Sequence, residues 1–263
     1  MRHEPPTHIR PLARPLTLHA PGMTCGVVLV HGFGDAPYSM RDLASFLFRH
    51  GYSVAVPRLP GHGSRLEHLA AATTADWQRA VTRALAGMRA RVRRVAIVGR
   101  SFGGVLALLE LLRDPGGADA LVMMATPSRI HGQRPIEFVL PFVGLVKKTV
   151  KKPWLRSADY VERLEVGRYD RLPVKTIREF FRTLRLLRDG RLQRVTTPTL
   201  FIHGQRDELA HPASVDFFCA HLGSVVKEVL LLKDATHAAS SLHRHHEVQK
   251  RLLAFLTTHL GES

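Results

Sequence analysis

The chain has 263 residues, of which 45% are hydrophobic, and carries a formal net charge of +16 at pH 7. This length allows one domain with an insertion and a sizeable buried core, and no stretch reaches the roughly 18 apolar residues of a membrane-spanning helix. The chain begins without the apolar core of a signal peptide, and its cysteines, Cys25 and Cys219, lack metal-ligand spacing. We therefore expect a cytoplasmic, soluble protein whose cysteines are buried thiols.

Apolar runs rich in β-branched residues alternate along the chain with segments of helical periodicity. The predicted strands lie near 25–31, 52–57, 93–99, 119–124, 197–203 and 225–232, and the predicted helices near 39–50, 74–91, 102–113, 212–222 and 243–259. We predict Ser39 and Thr74 as N-caps of the first two helices, and a short antiparallel edge strand within residues 9–19. This alternation predicts an α/β fold with a mostly parallel central sheet and helices on both faces.

The most informative motif is Gly99-Arg100-Ser101-Phe102-Gly103-Gly104, which lies between a predicted strand and a predicted helix. A tight turn at this point lifts the serine hydroxyl clear of both elements, and the flanking glycines leave room for strand and helix to approach each other. The start of the helix directs backbone N–H groups at whatever the serine attacks. We therefore predict Ser101 as the nucleophile of a G-x-S-x-G elbow.

A serine is a weak nucleophile unless a base and an acid activate it. Asp207 follows the predicted strand 197–203, and His237 follows the predicted strand 225–232. Catalytic groups gather at the carboxyl ends of parallel strands, so we predict Asp207 as the acid and His237 as the base. Glu208 is the rival carboxylate, but as the next residue it should point elsewhere.

An acyl-transfer site also needs donors for the oxyanion that forms during attack. The N–H of the residue after the nucleophile, Phe102, is one candidate. The other comes from the loop after an early strand, where Phe33 stands between two glycines that allow its backbone to approach a ligand closely. We predict the backbone N–H groups of Phe33 and Phe102 as the oxyanion hole.

Together these motifs resemble the α/β-hydrolase superfamily, and within it the small carboxylesterases and monoacylglycerol lipases that carry a compact cap. The chain order Ser101, Asp207, His237 is that of the α/β-hydrolases. The matching stretches are V-L-V-H-G-F-G-D (28–35), R-L-P-G-H-G-S (58–64), V-G-R-S-F-G-G (98–104), F-I-H-G-Q-R-D (201–207) and D-A-T-H (234–237). The resemblance implies the α/β-hydrolase fold and hydrolysis of short- to medium-chain acyl esters or monoacylglycerols through an acyl-enzyme on Ser101.

The alternation of strands and helices breaks between residues 127 and 194, where the resembled family inserts its cap. We therefore predict a hydrolase core formed by 1–126 and 195–263, with a cap (lid) at 127–194. The cap contains an almost continuous apolar run at 138–146 and an amphipathic helical stripe that includes Phe180 and Phe181. We expect most of these side chains to pack the cap onto the core, and a few to line a groove for an acyl chain.

Positive charge is concentrated in the predicted cap, where residues 129–194 include 17 lysines and arginines but only 7 acidic residues. Lys147, Lys148, Lys151 and Lys152 follow the apolar run, an arrangement suited to peripheral contact with an anionic membrane. A solvated basic face is the simpler interpretation. No nucleic-acid-binding module is recognisable, so we expect no specific nucleic-acid partner.

The predicted mechanism needs neither a cofactor nor a metal, and none of the 16 histidines follows a zinc-binding spacing. His243, His245 and His246 cluster near the last helix, but we predict no metal there. The elbow does not separate ester hydrolysis from acyl transfer or from cleavage of amide, thioester or carbon–carbon bonds. A non-catalytic ligand-binding or anionic-membrane-binding protein is the remaining alternative, and the oligomeric state stays open.

Overall fold

The computed structural model describes residue 9 and residues 11–151, 169–188, 190–237 and 246–261. Lys152, His243, His245 and the start predicted for the last helix at residue 243 lie outside the described residues. Parts of the predicted cap also lie outside them, at 152–168 and at residue 189.

A seven-stranded sheet forms the centre of the protein, with its strands in the order β1-β3-β2-β4-β5-β8-β9. Its strands are β1 (Leu16–Leu18), β2 (Cys25–Val30), β3 (Ser53–Val56), β4 (Arg94–Arg100), β5 (Ala120–Met124), β8 (Thr199–Gly204) and β9 (Lys227–Leu232). All neighbouring strands pair in parallel except β1, which pairs antiparallel with β3 at the edge. The predicted edge strand within residues 9–19 is thus confirmed.

Helices cover both faces of this sheet, as the alternation predicted. The described α-helices are α1 (Arg41–Arg49), α2 (Leu66–Ala71), α3 (Thr74–Arg89), α4 (Phe102–Arg113), α5 (Gln133–Val146), α6 (Val174–Arg185), α7 (Ser214–His221) and α8 (His246–Leu260). Side chains of α1 and α8 form the core on one face, and side chains of α3, α4, α6 and α7 form the core on the other. None of the described helices has both the length and the apolar character needed to cross a membrane.

Both predicted helix caps are wrong by one position or more. Ser39 lies within a 3-10 turn, and α1 begins at Arg41 after Met40, whose side chain makes no capping hydrogen bond. The cap of α3 is Thr73 rather than Thr74, because the Thr73 hydroxyl accepts from the Asp76 N–H while the Asp76 carboxylate accepts from the Thr73 N–H. This capping box has no place for Thr74, which instead donates to Glu179 of α6.

The segment between β5 and β8 contains α5, a two-stranded antiparallel hairpin and α6. The hairpin pairs β6 (Thr149–Lys151) with β7 (Arg171–Pro173). Helix α6 is tied to the core because Thr74 donates to its Glu179 through both the backbone N–H and the hydroxyl, at 2.8 and 2.6 Å, and Thr176 donates to the Leu69 carbonyl at 3.0 Å. This segment therefore lies against α2 and α3.

Four loops that leave carboxyl ends of strands meet at one edge of the sheet. They follow β2, β4, β8 and β9 and carry Phe33, Ser101, Asp207 and His237, respectively. The register explains why they meet, since Val30 pairs with Gly99 at the end of β2 and β4, and Gly204 pairs with Leu232 at the end of β8 and β9. The fold thus gathers every predicted site residue on one side of the sheet.

Candidate active site

Ser101 has a backbone conformation that residues other than glycine rarely adopt, with φ 52° and ψ −120°. It lies between the end of β4 and the first residue of α4, and its N–H donates to the Met124 carbonyl at 2.7 Å. Such strain costs on the order of 1–3 kcal/mol and persists only where the surroundings enforce it. The predicted elbow is therefore present in its expected geometry.

Close approach of backbones around Ser101 explains the glycines of the motif. A Cβ atom at Gly99 would overlap the backbone of Gly104, and a Cβ atom at Gly103 would overlap the Val30 carbonyl. Gly32 of the loop after β2 lies next to the nucleophile without such crowding, since a Cβ there would make an ordinary van der Waals contact with the Ser101 Cβ at 3.5 Å. Side chains at Gly99 and Gly103 would push the strands and the helix apart.

The three side chains predicted as nucleophile, base and acid form a continuous hydrogen-bonded chain. The Ser101 hydroxyl donates to His237 Nε2 at 3.1 Å, and His237 Nδ1–H donates to Asp207 Oδ2 at 2.8 Å. The assignment of the protons follows from this network, because a carboxylate can only accept and the hydroxyl needs an acceptor. In this arrangement His237 can remove the proton from Ser101 while Asp207 holds the ring in the required tautomer.

Asp207 is almost completely buried, with a side chain that is 1% exposed, and its two carboxylate oxygens have separate partners. Oδ1 accepts the N–H groups of Leu209 at 2.9 Å and Ala210 at 2.7 Å. Oδ2 faces His203 Nε2 at 3.4 Å in addition to His237. Burial lowers the pKa of His203, so this ring is neutral near pH 7 and its Nε2–H donates to the Ala210 carbonyl at 3.1 Å. These contacts compensate for the desolvation of the carboxylate.

None of the described contacts joins Glu208, the rival carboxylate, to an imidazole nitrogen of His237. Its Oε2 accepts the backbone N–H of His237 at 3.0 Å, so it fixes the loop that carries the histidine. This contact is not visible in the sequence. Asp234 lies in a turn and pairs with Arg206 at 3.1 Å, with both side chains mostly exposed.

His31 shapes the loop that carries the predicted oxyanion donor Phe33. The Leu59 N–H donates to His31 Nε2 at 3.2 Å, so the proton of the neutral ring is on Nδ1, which donates to the Gly32 carbonyl at 3.0 Å. Burial lowers the pKa of His31 from 6.5 to about 4, and the positive charges of Arg58 and Arg100 contribute to the lowering. His31 is therefore a neutral structural group near pH 7.

Aromatic rings pack above the elbow on the side of α6. The ring of Phe33 lies 5.5 Å from that of Phe102 and 4.8 Å from that of Phe180, measured between centroids. Phe102 is the first residue of α4, where a backbone N–H has no partner within its own helix. Both predicted oxyanion residues therefore lie beside Ser101, with their side chains anchored in an apolar cluster. Within the described ranges, no three His, Cys, Asp or Glu side chains could hold a metal ion together.

The sequence matches a family model described as serine aminopeptidase, S33 (Hydrolase_4), over residues 24–241. The chain therefore belongs to this family of α/β-hydrolases. The matched region runs from just before β2 to just past His237.

Relatives and solved structures agree with this placement. The chain is 26% identical over 239 residues to a thermostable monoacylglycerol lipase of Bacillus sp. (strain H-257), which covers 90% of this chain and 92% of the relative. It is 22% identical over 212 residues to a carboxylesterase of Bacillus subtilis (strain 168), covering 80% and 83%. A structure from work on the metagenome-derived lipolytic enzymes LipS and LipT superposes with a TM-score of 0.81 at 26% identity, covering 95% and 100% of the two chains. The monoacylglycerol lipase of Paleococcus ferrophilus superposes at 0.76 with 17% identity, covering 95% and 99%.

We expect Asp207→Asn to slow the reaction of Ser101 with a fluorophosphonate by roughly 1,000- to 10,000-fold, because an amide favours the wrong tautomer of His237. The matched change Glu208→Gln should slow it less than about 5-fold, since the amide oxygen can still accept the His237 N–H. The rate constant of covalent labelling at pH 7.5 checks both. The opposite ranking of the two variants would identify Glu208 as the acid.

We expect His31 to make the stability of the protein depend on pH. Its pKa is about 4 in the folded protein and 6.5 in the unfolded chain. Between these two pH values His31 is therefore protonated in the unfolded chain but not in the folded protein. Neutral His31 therefore makes its full contribution to the free energy of unfolding above pH 6.5. As the pH falls to about 4, this contribution decreases by about 3 kcal/mol in total. Urea unfolding of wild type and His31→Asn from pH 7.5 to pH 4.5 tests this. Equal slopes of the unfolding free energy against pH in the two proteins would contradict it.

Proposed function

We propose that this protein is a serine hydrolase that cleaves carboxylic esters, monoacylglycerols among them, through an acyl-enzyme on Ser101. The observation that carries the proposal is the unbroken chain of hydrogen bonds from Ser101 through His237 to Asp207, at 3.1 and 2.8 Å. It combines a nucleophile, a base and an orienting acid in the geometry that acyl transfer needs.

The reaction follows from this arrangement in two halves. His237 takes the proton of Ser101 as its oxygen attacks the ester carbonyl, and the N–H groups of Phe33 and Phe102 stabilise the oxyanion. His237 then gives the proton to the departing alcohol, and the acyl group remains on the serine. Water enters and attacks the acyl carbon as His237 takes its proton; the bond to the Ser101 oxygen then breaks, His237 returns the proton to that oxygen, and the acid is released.

The apolar surroundings of the site favour an acyl chain as the group that binds beside Ser101. Phe33 is only partly buried and packs against the same apolar cluster as three partly buried side chains of the predicted cap at 127–194, which are Val143, Val150 and Ile177. The named relatives include a monoacylglycerol lipase and a carboxylesterase. We therefore propose short- to medium-chain acyl esters and monoacylglycerols as substrates, with the cap forming one wall of the acyl site.

The first test is hydrolysis of p-nitrophenyl esters from acetate to palmitate and of 1-monoacylglycerols of matching chain length. We expect activity with an optimum at one chain length, and a loss of at least about 10,000-fold in Ser101→Ala, because the nucleophile is removed. The amino-acid p-nitroanilides that the family description suggests serve as the comparison substrates.

The outcomes of this test separate the alternatives. Wild-type activity in Ser101→Ala would refute the proposed mechanism. If a fluorophosphonate labels Ser101 but no ester is hydrolysed, Ser101 remains supported as the nucleophile and the ester substrate class is refuted. Turnover of the anilides would then identify amide hydrolysis. Ser101→Ala should unfold at a midpoint close to that of wild type, which excludes misfolding as the cause of a loss.

We further propose that α5 brings the enzyme to an anionic lipid surface. The expectation that its apolar residues pack onto the core is wrong for most of the helix, whereas in α6 Phe180, Phe181 and Leu184 are buried as expected. The most exposed large apolar side chains of α5 are Phe138 (74%), Phe142 (62%), Leu145 (85%) and Val146 (84%). Phe138, Phe142 and Leu145 are spaced i, i+4 and i+7, so they share one face of the helix.

Charge next to this face supports an anionic partner. Lys147 and Lys148 follow α5 directly, Lys151 ends the strand β6 just after them, and all three are exposed. Each basic residue near an anionic surface contributes about 1 kcal/mol to binding, and apolar side chains that enter the headgroup region contribute further. A monoacylglycerol resides in such a surface, so docking there would deliver the substrate.

Sedimentation with sucrose-loaded vesicles tests this docking. We expect binding to vesicles of phosphatidylcholine with 30% phosphatidylglycerol, and a decrease of about 100-fold in the partition coefficient when the three lysines become glutamine. Phe138→Ser/Phe142→Ser should also weaken binding, to both anionic and neutral vesicles. Val225→Ser, which alters an exposed apolar residue far along the chain, is the matched control.

Turnover of a water-soluble short-chain ester should stay at the wild-type value in all these variants, since none of the altered residues contacts the triad. Equal binding of wild type and the triple lysine variant to anionic vesicles would refute the docking proposal. It would support the simpler interpretation of a solvated basic face.

A further inference from the structure

Arg100 and Asp35 form an ion pair beside the elbow that has no part in the hydrogen-bonded chain from Ser101 to Asp207. Arg100 Nη1 donates to Asp35 Oδ2 at 2.9 Å, and the two side chains are only 13% and 11% exposed. Arg100 is the last residue of β4, directly before Ser101, whereas Asp35 lies in the loop that carries Phe33. The pair therefore joins the nucleophile's strand to the loop of an oxyanion donor.

Asp35 also closes the turn around Phe33. Its backbone N–H donates to the Gly32 carbonyl at 3.3 Å, and its Oδ1 accepts the Ala36 N–H at 2.9 Å. One carboxylate oxygen thus holds the chain after the turn while the other is held by Arg100. Movement of Asp35 would change the turn that begins at Gly32.

The Gly32 carbonyl and the Phe33 N–H belong to the same peptide group. None of the described peptide bonds is cis, so this carbonyl and this N–H point in opposite directions across one plane. The carbonyl accepts from the Asp35 N–H and from His31 Nδ1. Whatever fixes the Gly32 carbonyl therefore also fixes the direction of the Phe33 N–H.

We propose that Arg100 and Asp35 are a positioning pair that sets the Phe33 N–H as an oxyanion donor. The inference rests on the proposed function, because it assumes that an oxyanion forms beside Ser101. The pair acts in two ways: it holds the turn in place, and the guanidinium neutralises a carboxylate two residues from the oxyanion donor. An uncompensated Asp35 would repel the negative charge that develops during attack.

The test compares Asp35→Asn, Asp35→Ala, Arg100→Gln and the double variant Arg100→Gln/Asp35→Asn with wild type. Asp234→Asn is the matched control, since it removes the charge of an exposed aspartate that pairs with Arg206 at the same edge of the sheet. We would measure kcat and KM for a short-chain p-nitrophenyl ester, and the inhibition constant of a trifluoromethyl ketone, whose adduct with Ser101 carries the oxyanion.

We expect each single variant of the pair to lower kcat between about 10- and 100-fold, because a misdirected donor loses part of the 100- to 1,000-fold that such a donor contributes. KM should change less than about 2-fold, and the inhibition constant should rise in proportion to the loss of kcat. The fold loss of kcat in the double variant should be smaller than the product of the two single losses, because only Arg100→Gln alone leaves the charge of Asp35 uncompensated. Asp234→Asn should match wild type.

A wild-type kcat per labelled active site in Asp35→Ala, with only a lower melting temperature, would assign the pair a structural role and overturn the inference. So would a change confined to KM, or an unchanged inhibition constant. If wild type hydrolyses no ester, the proposed function fails instead. The fluorophosphonate labelling rate of the same variants then decides the inference, because phosphonylation of Ser101 develops the same oxygen charge.

Discussion

The strained backbone of Ser101 is the constraint on which the rest of the structure depends. A positive φ at a serine costs free energy, so the elements around it must leave the chain no other path. The Met124 carbonyl on β5 holds its N–H, and backbones at Gly99 and Gly103 approach too closely for any side chain. Completely buried strands on both sides make this packing rigid, and the hydroxyl is consequently presented in one direction.

Contacts within and between the loops hold the predicted site residues, and they explain how four separate loops keep ångström-scale geometry. Asp207 receives N–H groups from its own loop, while Glu208 reaches across to the backbone of His237. Arg100 performs the same task between β4 and the loop of Phe33. Loops that follow the carboxyl ends of parallel strands vary freely in sequence. Contacts between these loops, rather than the sheet alone, therefore fix the relative positions of the predicted site residues.

The sequence predicted the sheet, its edge strand and the three residues of the hydrogen-bonded chain, because strand periodicity and the glycine-flanked serine are local signals. It failed where one local signal competes with another: Thr73 and Thr74 both suit an N-cap, and only the reciprocal contact with Asp76 decides between them. It also failed for α5, whose apolar run was expected to be buried. Composition shows that a face is apolar but not what it contacts, and the pairing of Arg100 with Asp35 spans 65 positions.

The two helices between β5 and β8 differ in burial, because α6 packs its apolar side chains into the core whereas α5 exposes most of its own. Helix α6 buries Phe180 against the rings of Phe33 and Phe102, so the segment proposed as a cap is continuous with the side chains of both predicted oxyanion residues. Helix α5 packs on α6, where Arg178 donates to the Pro141 carbonyl, and turns its aromatic face outward. Packed helices are about 8–10 Å apart, so a lipid surface at α5 would lie about one helix diameter from α6. If both proposals hold, a monoacylglycerol leaving that surface would reach the proposed acyl site without crossing much water, because the exposed α5 and the buried α6 are neighbours.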